Sequence, residues 1–169
     1  MSAVIKTTTP FIIESVLFKA LETVGAEPIL VTSGVLQNIS QRNQMTLGDI
    51  LTNRSDYNGR QFFRQQGGRW IFLHDSDEYS TRIVSEITDR RYTPVSRFLS
   101  ELSLAYDTSY AQHLESLAKQ ERIRIEEERK ARVEATRKQA IEKAKSQGYS
   151  VKENRTSLGQ IQLVLTRTV

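Results

Sequence analysis

From Val95 to Ser146 the chain contains neither proline nor glycine. Its middle, Lys119 to Lys145, reads KQERIRIEEERKARVEATRKQAIEKAK. Ala, Glu, Lys, Arg and Gln are the strong helix formers, so this composition favours helix over a disordered linker. Glu126–Lys130, Glu128–Arg132 and Glu134–Lys138 are spaced i,i+4 with the acid on the N-terminal side, the better orientation for pairing along a helix. With no breaker from Val95 to Ser146, one continuous helix over about 95–146, or one broken by a charged kink, is expected rather than a helical hairpin.

The apolar pattern divides that helix. Phe98, Leu99, Leu102, Ala105, Tyr106, Tyr110, Leu114 and Leu117 form a stripe that suits packing on a sheet. After Leu117 the stripe thins to Ile123, Ile125 and Val133, and Ala140, Ile141 and Ala144 restore it. Residues 118–140 are therefore expected to form an arm projecting from a single α+β domain that spans 1–169. Ile125, Val133 and Ala140 do not keep an a/d repeat, which argues against a self-sufficient coiled coil.

The charge follows the arm. The whole chain has 24 Lys+Arg against 20 Asp+Glu, a net of +4. Residues 119–145 alone hold ten Lys/Arg and six Glu, so the entire excess lies there. Spread over about 40 Å of helix this is a modest field, and dedicated nucleic-acid faces carry more bases with fewer interleaved acids.

Elsewhere the chain alternates strand and helix signals. Val4 to Thr8 reads as a strand. Thr9-Pro10 reads as an N-cap and first helical residue, followed by an apolar face of Ile13, Val16, Leu17, Ala20, Leu21 and Val24, with Gly25 as the C-terminal stop. Ile29 to Val31 reads as a short strand. Leu36 to Met45 is polar and reads as loop or a short irregular helix, and Leu47 to Leu51 as a strand. Tyr57-Asn58-Gly59-Arg60 carries a turn signal. Gln61 to Arg64 and Arg69 to Leu73, flanking Gly67-Gly68, predict a β-hairpin. Ser80 to Arg91 fits either a short helix or a strand with loop. Thr93-Pro94 marks the start of the long helix. Tyr149 to Glu153 and Ile161 to Thr166 flank a turn at Thr156 to Gly159 and predict a second hairpin. The fold class is α+β: a small, mostly antiparallel sheet with packed helices, a long charged helix and a C-terminal β-hairpin.

Several stretches resemble one family. The opening IKTTTPF and LFKALETVGAEP, the middle FFRQQGGRWIFLHDSDEY, and the close FLSELSLAY followed by AKSQGYSVKENRTSLGQIQLVLTR are similar, in that order, to the Ycf35-like proteins of cyanobacteria, algal plastids and other bacteria, also called the DUF1257 family. These patches cover roughly half the chain. The family's last helix is short, so most of Leu117 to Ala140 looks like an insertion, and Val31 to Tyr57 matches poorly. None of the patches is a catalytic signature. The resemblance implies an accessory role in a larger protein complex, with an AAA-type ATPase as a partner by analogy, and a cytoplasmic location, or the plastid stroma if the source is an alga.

No enzyme signature emerges from the residues themselves. The chain has no cysteine, which removes thiolate chemistry and cysteine metal sites. No serine lies in a G-x-S-x-G context, and no phosphate-binding G-x-x-x-x-G-K-[ST] occurs. His74-Asp75-Ser76-Asp77-Glu78 is a dense polar cluster that offers metal-ligand types, but adjacent strand residues point to opposite faces, so a solvated strand exit is the simpler expectation. His113 has no second histidine three or four residues away and reads as a helix-surface or boundary residue. Phe62, Phe63, Trp70 and Phe72, with Arg60, Arg64 and Arg69, suit base stacking or a core beneath the helices. Adjacent Phe62 and Phe63 cannot share a face, so one is expected to be exposed or to meet a partner.

The sequence thus points to a non-enzymatic interaction protein without cofactor, catalytic residue or metal. It would dock on a larger protein assembly through Arg122, Ile123, Arg124, Ile125, Arg129, Arg132, Val133 and Arg137. The second reading is a nucleic-acid or ribosome-associated protein that uses the basic helix and the aromatic, arginine-bearing hairpin. No window approaches a membrane span, and the N-terminus lacks the pattern of a secretory signal.

Overall fold

The computed structural model describes residues 3–38, 45–56, 59–76, 83–85, 90–91, 93–156 and 161–167. The chain forms two compact units, residues 1–115 and 116–169. The first holds β1 (Val4–Thr8), α1 (Glu14–Thr23), β2 (Ile29–Leu30), α2 (Ser33–Asn38), β3 (Ile50–Asp56), β4 (Gly59–Gln66), β5 (Arg69–Asp75), β6 (Ile83–Ser85) and β7 (Arg90–Arg91). The long helix α3 (Val95–Ser146) begins in this unit and continues into the second, which ends with β8 (Tyr149–Arg155) and β9 (Ile161–Arg167). The α+β class is as the sequence suggests.

Five strands in the order β1-β5-β4-β3-β2 make one antiparallel sheet. Its central strands carry doublets of apolar residues rather than strict alternation, and a sheet buried on both faces calls for that pattern. Phe63, Trp70, Phe72 and Ile50 face α1 and the start of α3, meeting Leu17, Leu21, Phe98, Leu102 and Tyr106. Phe62, Ile71, Leu73 and Leu51 form a second cluster with Val31, flanked by Val35, Leu36 and Met45. Both members of the Phe62–Phe63 pair are therefore buried, which corrects the expectation that one would be exposed.

Between β4 and β5 the chain turns at Gly67 and Gly68, with φ of 61° and 77°. Two successive positive φ values make the turn whose twist matches a hairpin. A Cβ at Gly68 would meet nothing within 4 Å, so substitution there costs only backbone strain. Gly68→Val should lower stability by about 1–2 kcal/mol, readable as a shift of the urea midpoint.

Helix α1 starts later than the Thr9-Pro10 pair suggested. Its N-cap is Ile13, with no side-chain cap bond. Thr9 is buried instead, and its hydroxyl donates to the Trp70 carbonyl, which ties the end of β1 to β5. The amides that precede the helix find another acceptor: the Tyr106 hydroxyl accepts from Ile12 N at 3.2 Å and from Ile13 N at 3.1 Å. The C-terminal stop is as expected. Gly25 N donates to Glu22 O and Ala26 N to Leu21 O, the paired bonds of a Schellman ending.

Strand β3 also lies further along than the Leu47–Leu51 reading. Residues 46–49 form a turn in which Asp49 accepts from Thr46 N at 2.8 Å, and the strand begins at Ile50. Its register against β4 slips between Leu51 and Ser55. In that irregular stretch Asn53 bonds to the α1 exit, N to Ala26 O at 2.8 Å and Nδ2 to Gly25 O at 2.9 Å. The slip re-aims Arg54, as bulges commonly do for one side chain. The pair Asp56↔Gly59 brackets the expected turn, whose residues Tyr57 and Asn58 lie outside the described set, as do Ser157 to Gly159 of the second hairpin. Within 80–91 the strand alternative holds for β6 and β7.

Candidate functional site

Arg54 lies 4% exposed and is bonded on every side. Its Nε donates to Gln61 Oε1 at 2.8 Å, Nη1 to Thr93 Oγ1 at 3.0 Å and Nη2 to Thr93 O at 2.6 Å. The guanidinium sits 4.3 Å from the Phe98 ring centroid. Gln61 in turn donates to Asp56 Oδ2 at 3.1 Å, which also accepts from Asp75 N at 2.7 Å. Nearby in sequence, Asp49 holds Arg64 in a fork at 3.0 and 2.7 Å. Asp49 keeps Arg64 more firmly in its charged form, against the opposing effect of burial. Each group faces a partner, so these networks serve the fold of the first unit rather than display reactive atoms.

The His74–Glu78 cluster fares similarly. His74 and Asp75 are buried, not solvated at a strand exit. His74 Nδ1 lies 2.8 Å from the Asp75 carbonyl oxygen, which can only accept, so Nδ1 is the donor there. Nε2 pairs with Thr7 Oγ1 at 2.8 Å. The ring also stacks at 5.6 Å on Phe72. Both nitrogens are occupied, as in a satisfied core histidine. Asp77 and Glu78 lie outside the described residues. Among the described residues no group of three or more His, Asp or Glu could hold a metal.

The aromatic hairpin offers no stacking platform in this arrangement. Phe62, Phe63, Trp70 and Phe72 are all at or below 6% exposure. The rings are packed as the core reading requires, so a nucleic-acid reading would have to rest on the basic helix alone.

That helix changes character along its length. Phe98, Leu102 and Tyr106 are buried and Tyr110 is half-buried, but Leu114 and Leu117 are each 48% exposed. The packed stripe thus ends near Tyr110, earlier than the sequence pattern suggested. His113 is half-exposed, a boundary residue. From Ser116 to Val133 every residue is exposed, including Ile123, Ile125 and Val133 at 50, 55 and 60%. Propensity and local pairs hold this stretch helical.

The pairs differ in part from the i,i+4 set. Lys130–Glu126 forms at 2.9 Å, but Glu121 takes Arg124 at 2.6 Å and Glu134 takes Arg137 at 2.8 Å, both i,i+3. Lys130 holds the Glu126 carboxyl below the usual carboxylate range, with a smaller push from Arg129. Among the described residues, Lys119, Arg122, Arg129 and Arg132 make no side-chain hydrogen bond or ion pair.

At 100° per residue, Arg122, Ile125, Arg129, Arg132, Val133 and Arg137 fall within about 140° of the helix circumference. Ile123 and Arg124 lie outside it, on other sides of the helix. The same arc also contains Lys119, which the sequence reading passed over; projecting the run at the helical angle finds it.

The second unit closes on itself at its C-terminal end. Gly148, at φ 82°, lets the chain leave the helix and enter β8. The hairpin β8–β9 is in register from Tyr149↔Arg167 to Arg155↔Ile161. Arg137 donates to both Glu134 and Glu153, so the hairpin runs back along the last turns of α3. Ala144 is buried there, and Ile141, Tyr149, Val151 and Leu163 are half-buried. A two-stranded hairpin is marginal by itself, and the helix supplies the third element it needs. Ile161, Val164 and Leu165 remain exposed.

No family model matches the chain, and neither a curated protein nor a solved structure gives a match. No helix among the described residues is long and apolar enough to cross a membrane.

Proposed function

We propose that the chain is a non-enzymatic interaction protein that docks on a larger protein assembly through the exposed part of α3. The observation that carries this reading is the continuous exposure of Ser116 to Val133 on a helix that keeps three branched aliphatic side chains in solvent. A helix that serves only as a spacer needs no Ile123, Ile125 or Val133. Arginine and isoleucine together make a desolvatable, bonding surface of the kind found at protein interfaces. Arg122, Arg129 and Arg132 supply the polar anchors and Ile125 and Val133 the apolar ones, whereas Arg137 is already engaged by Glu134 and Glu153. The resemblance of the chain's ends to Ycf35-like proteins makes an AAA-type ATPase the partner to try first, in the cytoplasm or a plastid stroma. A second reading, nucleic-acid or ribosome binding by the same bases, is favoured by the net +4 carried by residues 119–145. It would show as a steep loss of binding with added salt.

Removing residues 119–136 tests the docking reading. It excises five helical turns, Glu134 among them, and leaves Arg137 with Glu153 and Ala144 beside the hairpin. The first unit should unfold in urea within about 0.5 kcal/mol of the intact chain, followed by its single tryptophan, Trp70. Binding to the partner should be lost. A shortened chain whose first unit unfolds early would mean that the segment is structural, and unchanged partner binding would place the contact elsewhere.

A further inference from the structure

The charges of the 119–145 stretch are sorted by face. The arc that contains Arg122 and Ile125 holds six Lys/Arg and one Glu; the rest of the circumference holds four Lys/Arg and five Glu. The overall +4 is therefore about +5 on one side and −1 on the other. The single acid of the basic arc, Glu126, is held by Lys130. Toward the C-terminal end Arg137 is engaged by Glu134 and Glu153. Apart from Lys143 near the C-terminal end, what remains open is one stripe, Lys119, Arg122, Ile125, Arg129, Arg132 and Val133, running about 21 Å along the helix.

Building on the docking reading, we infer that this stripe receives an acidic amphipathic helix of a partner protein. Two features select that occupant. The first is spacing. The four cations are one per 5–7 Å on average, about the interval of carboxylates placed every three or four residues on a second helix. A nucleic-acid duplex presents a charge every 1.7 Å or so, and four bases interleaved with aliphatic residues would neutralise little of it. The second is the apolar content. Ile125 and Val133, 55 and 60% exposed, lie between the cations on the same stripe. They gain nothing against phosphates but can be buried by the aliphatic seam of a partner helix. A second copy of this chain is a poorer fit, because its remaining arc nearly balances acids with bases.

The test uses the full-length protein and a labelled amphipathic helical peptide of about 20 residues, with an Ile/Leu seam flanked by Glu. Fluorescence anisotropy is read against four alternatives: the Glu→Gln twin of the peptide, a DNA duplex and an RNA strand of similar length, and phosphatidylserine vesicles. The acidic peptide should bind most tightly near physiological salt. Combining Arg122→Gln, Arg129→Gln and Arg132→Gln should weaken it about tenfold, since three exposed pairs of about 0.5 kcal/mol are lost. Combining Arg124→Gln, Lys138→Gln and Lys145→Gln removes the same formal charge from the other faces and should change it less than about threefold. Equal losses from the two triples, tighter binding of nucleic acid or vesicles, indifference to the Glu→Gln exchange, or no peptide binding would each overturn the inference. The two readings fail separately: loss of the natural partner on removing 119–136, together with failure of the acidic peptide, keeps the docking and rejects this occupant.

Discussion

Arg54→Leu should lower the stability of the first unit by about 3–5 kcal/mol, the usual cost of removing one partner from a buried polar network. The replacement leaves Gln61 Oε1, Thr93 Oγ1 and Thr93 O without the donors that lie 2.6 to 3.0 Å away in the intact chain. Each orphaned acceptor costs about 1–3 kcal/mol if no water reaches it. The stack on Phe98 is lost as well. Arg54→Lys should recover less than half of the loss, because an ammonium cannot fork to three acceptors and lie flat on a ring. Urea unfolding followed by Trp70 fluorescence measures both. A loss below about 1 kcal/mol for Arg54→Leu would mean that the network is solvated.

Phe72→Ala should cost a similar amount, about 3–5 kcal/mol. The ring is wholly buried and packs 4.6 Å from Phe63, 5.5 Å from Phe98 and 5.6 Å from the His74 ring, centroid to centroid. It therefore joins β4, β5 and the start of α3 in one contact set. A domain of this size has only about 5–15 kcal/mol in hand, so the variant should be partly unfolded at moderate temperature. Phe72→Leu should lose much less, because most of the volume is kept. Equal losses for the two variants would indicate a requirement for the ring itself rather than for its volume.

Both positions show where sequence reading succeeds and where it stops. Phe72 sits in an aromatic run beside Gly67-Gly68, and a hairpin with a buried face is legible from those residues alone. The long helix is legible too, because 52 residues without Pro or Gly and rich in helix formers have few alternatives. Arg54 gives no such signal. ILTNRSD reads as a fading strand, and the burial of its arginine depends on Thr93 and Phe98, about 40 residues further on. The same non-local logic removed Thr9 from its capping role: a hydroxyl that could cap α1 is claimed by the Trp70 carbonyl. His74 and Asp75 look solvated beside Ser76, yet pairing with β1 and stacking on Phe72 draw them inside. On the helix, composition gave the net charge of the segment, whereas its sorting onto one side appears only after projection at the helical angle.

A photo-crosslinking scan along α3 in the native cell is the most direct measurement of the central claim, that one side of the exposed helix is a docking surface. A photoreactive residue is placed in turn at Arg122, Ile125, Arg129 and Val133, and at Arg124, Ala131 and Lys138 on the other sides. The account requires adducts to the same partner protein from the first set and none, or far fewer, from the second. Equal yield around the helix, or adducts only from the second set, would contradict it.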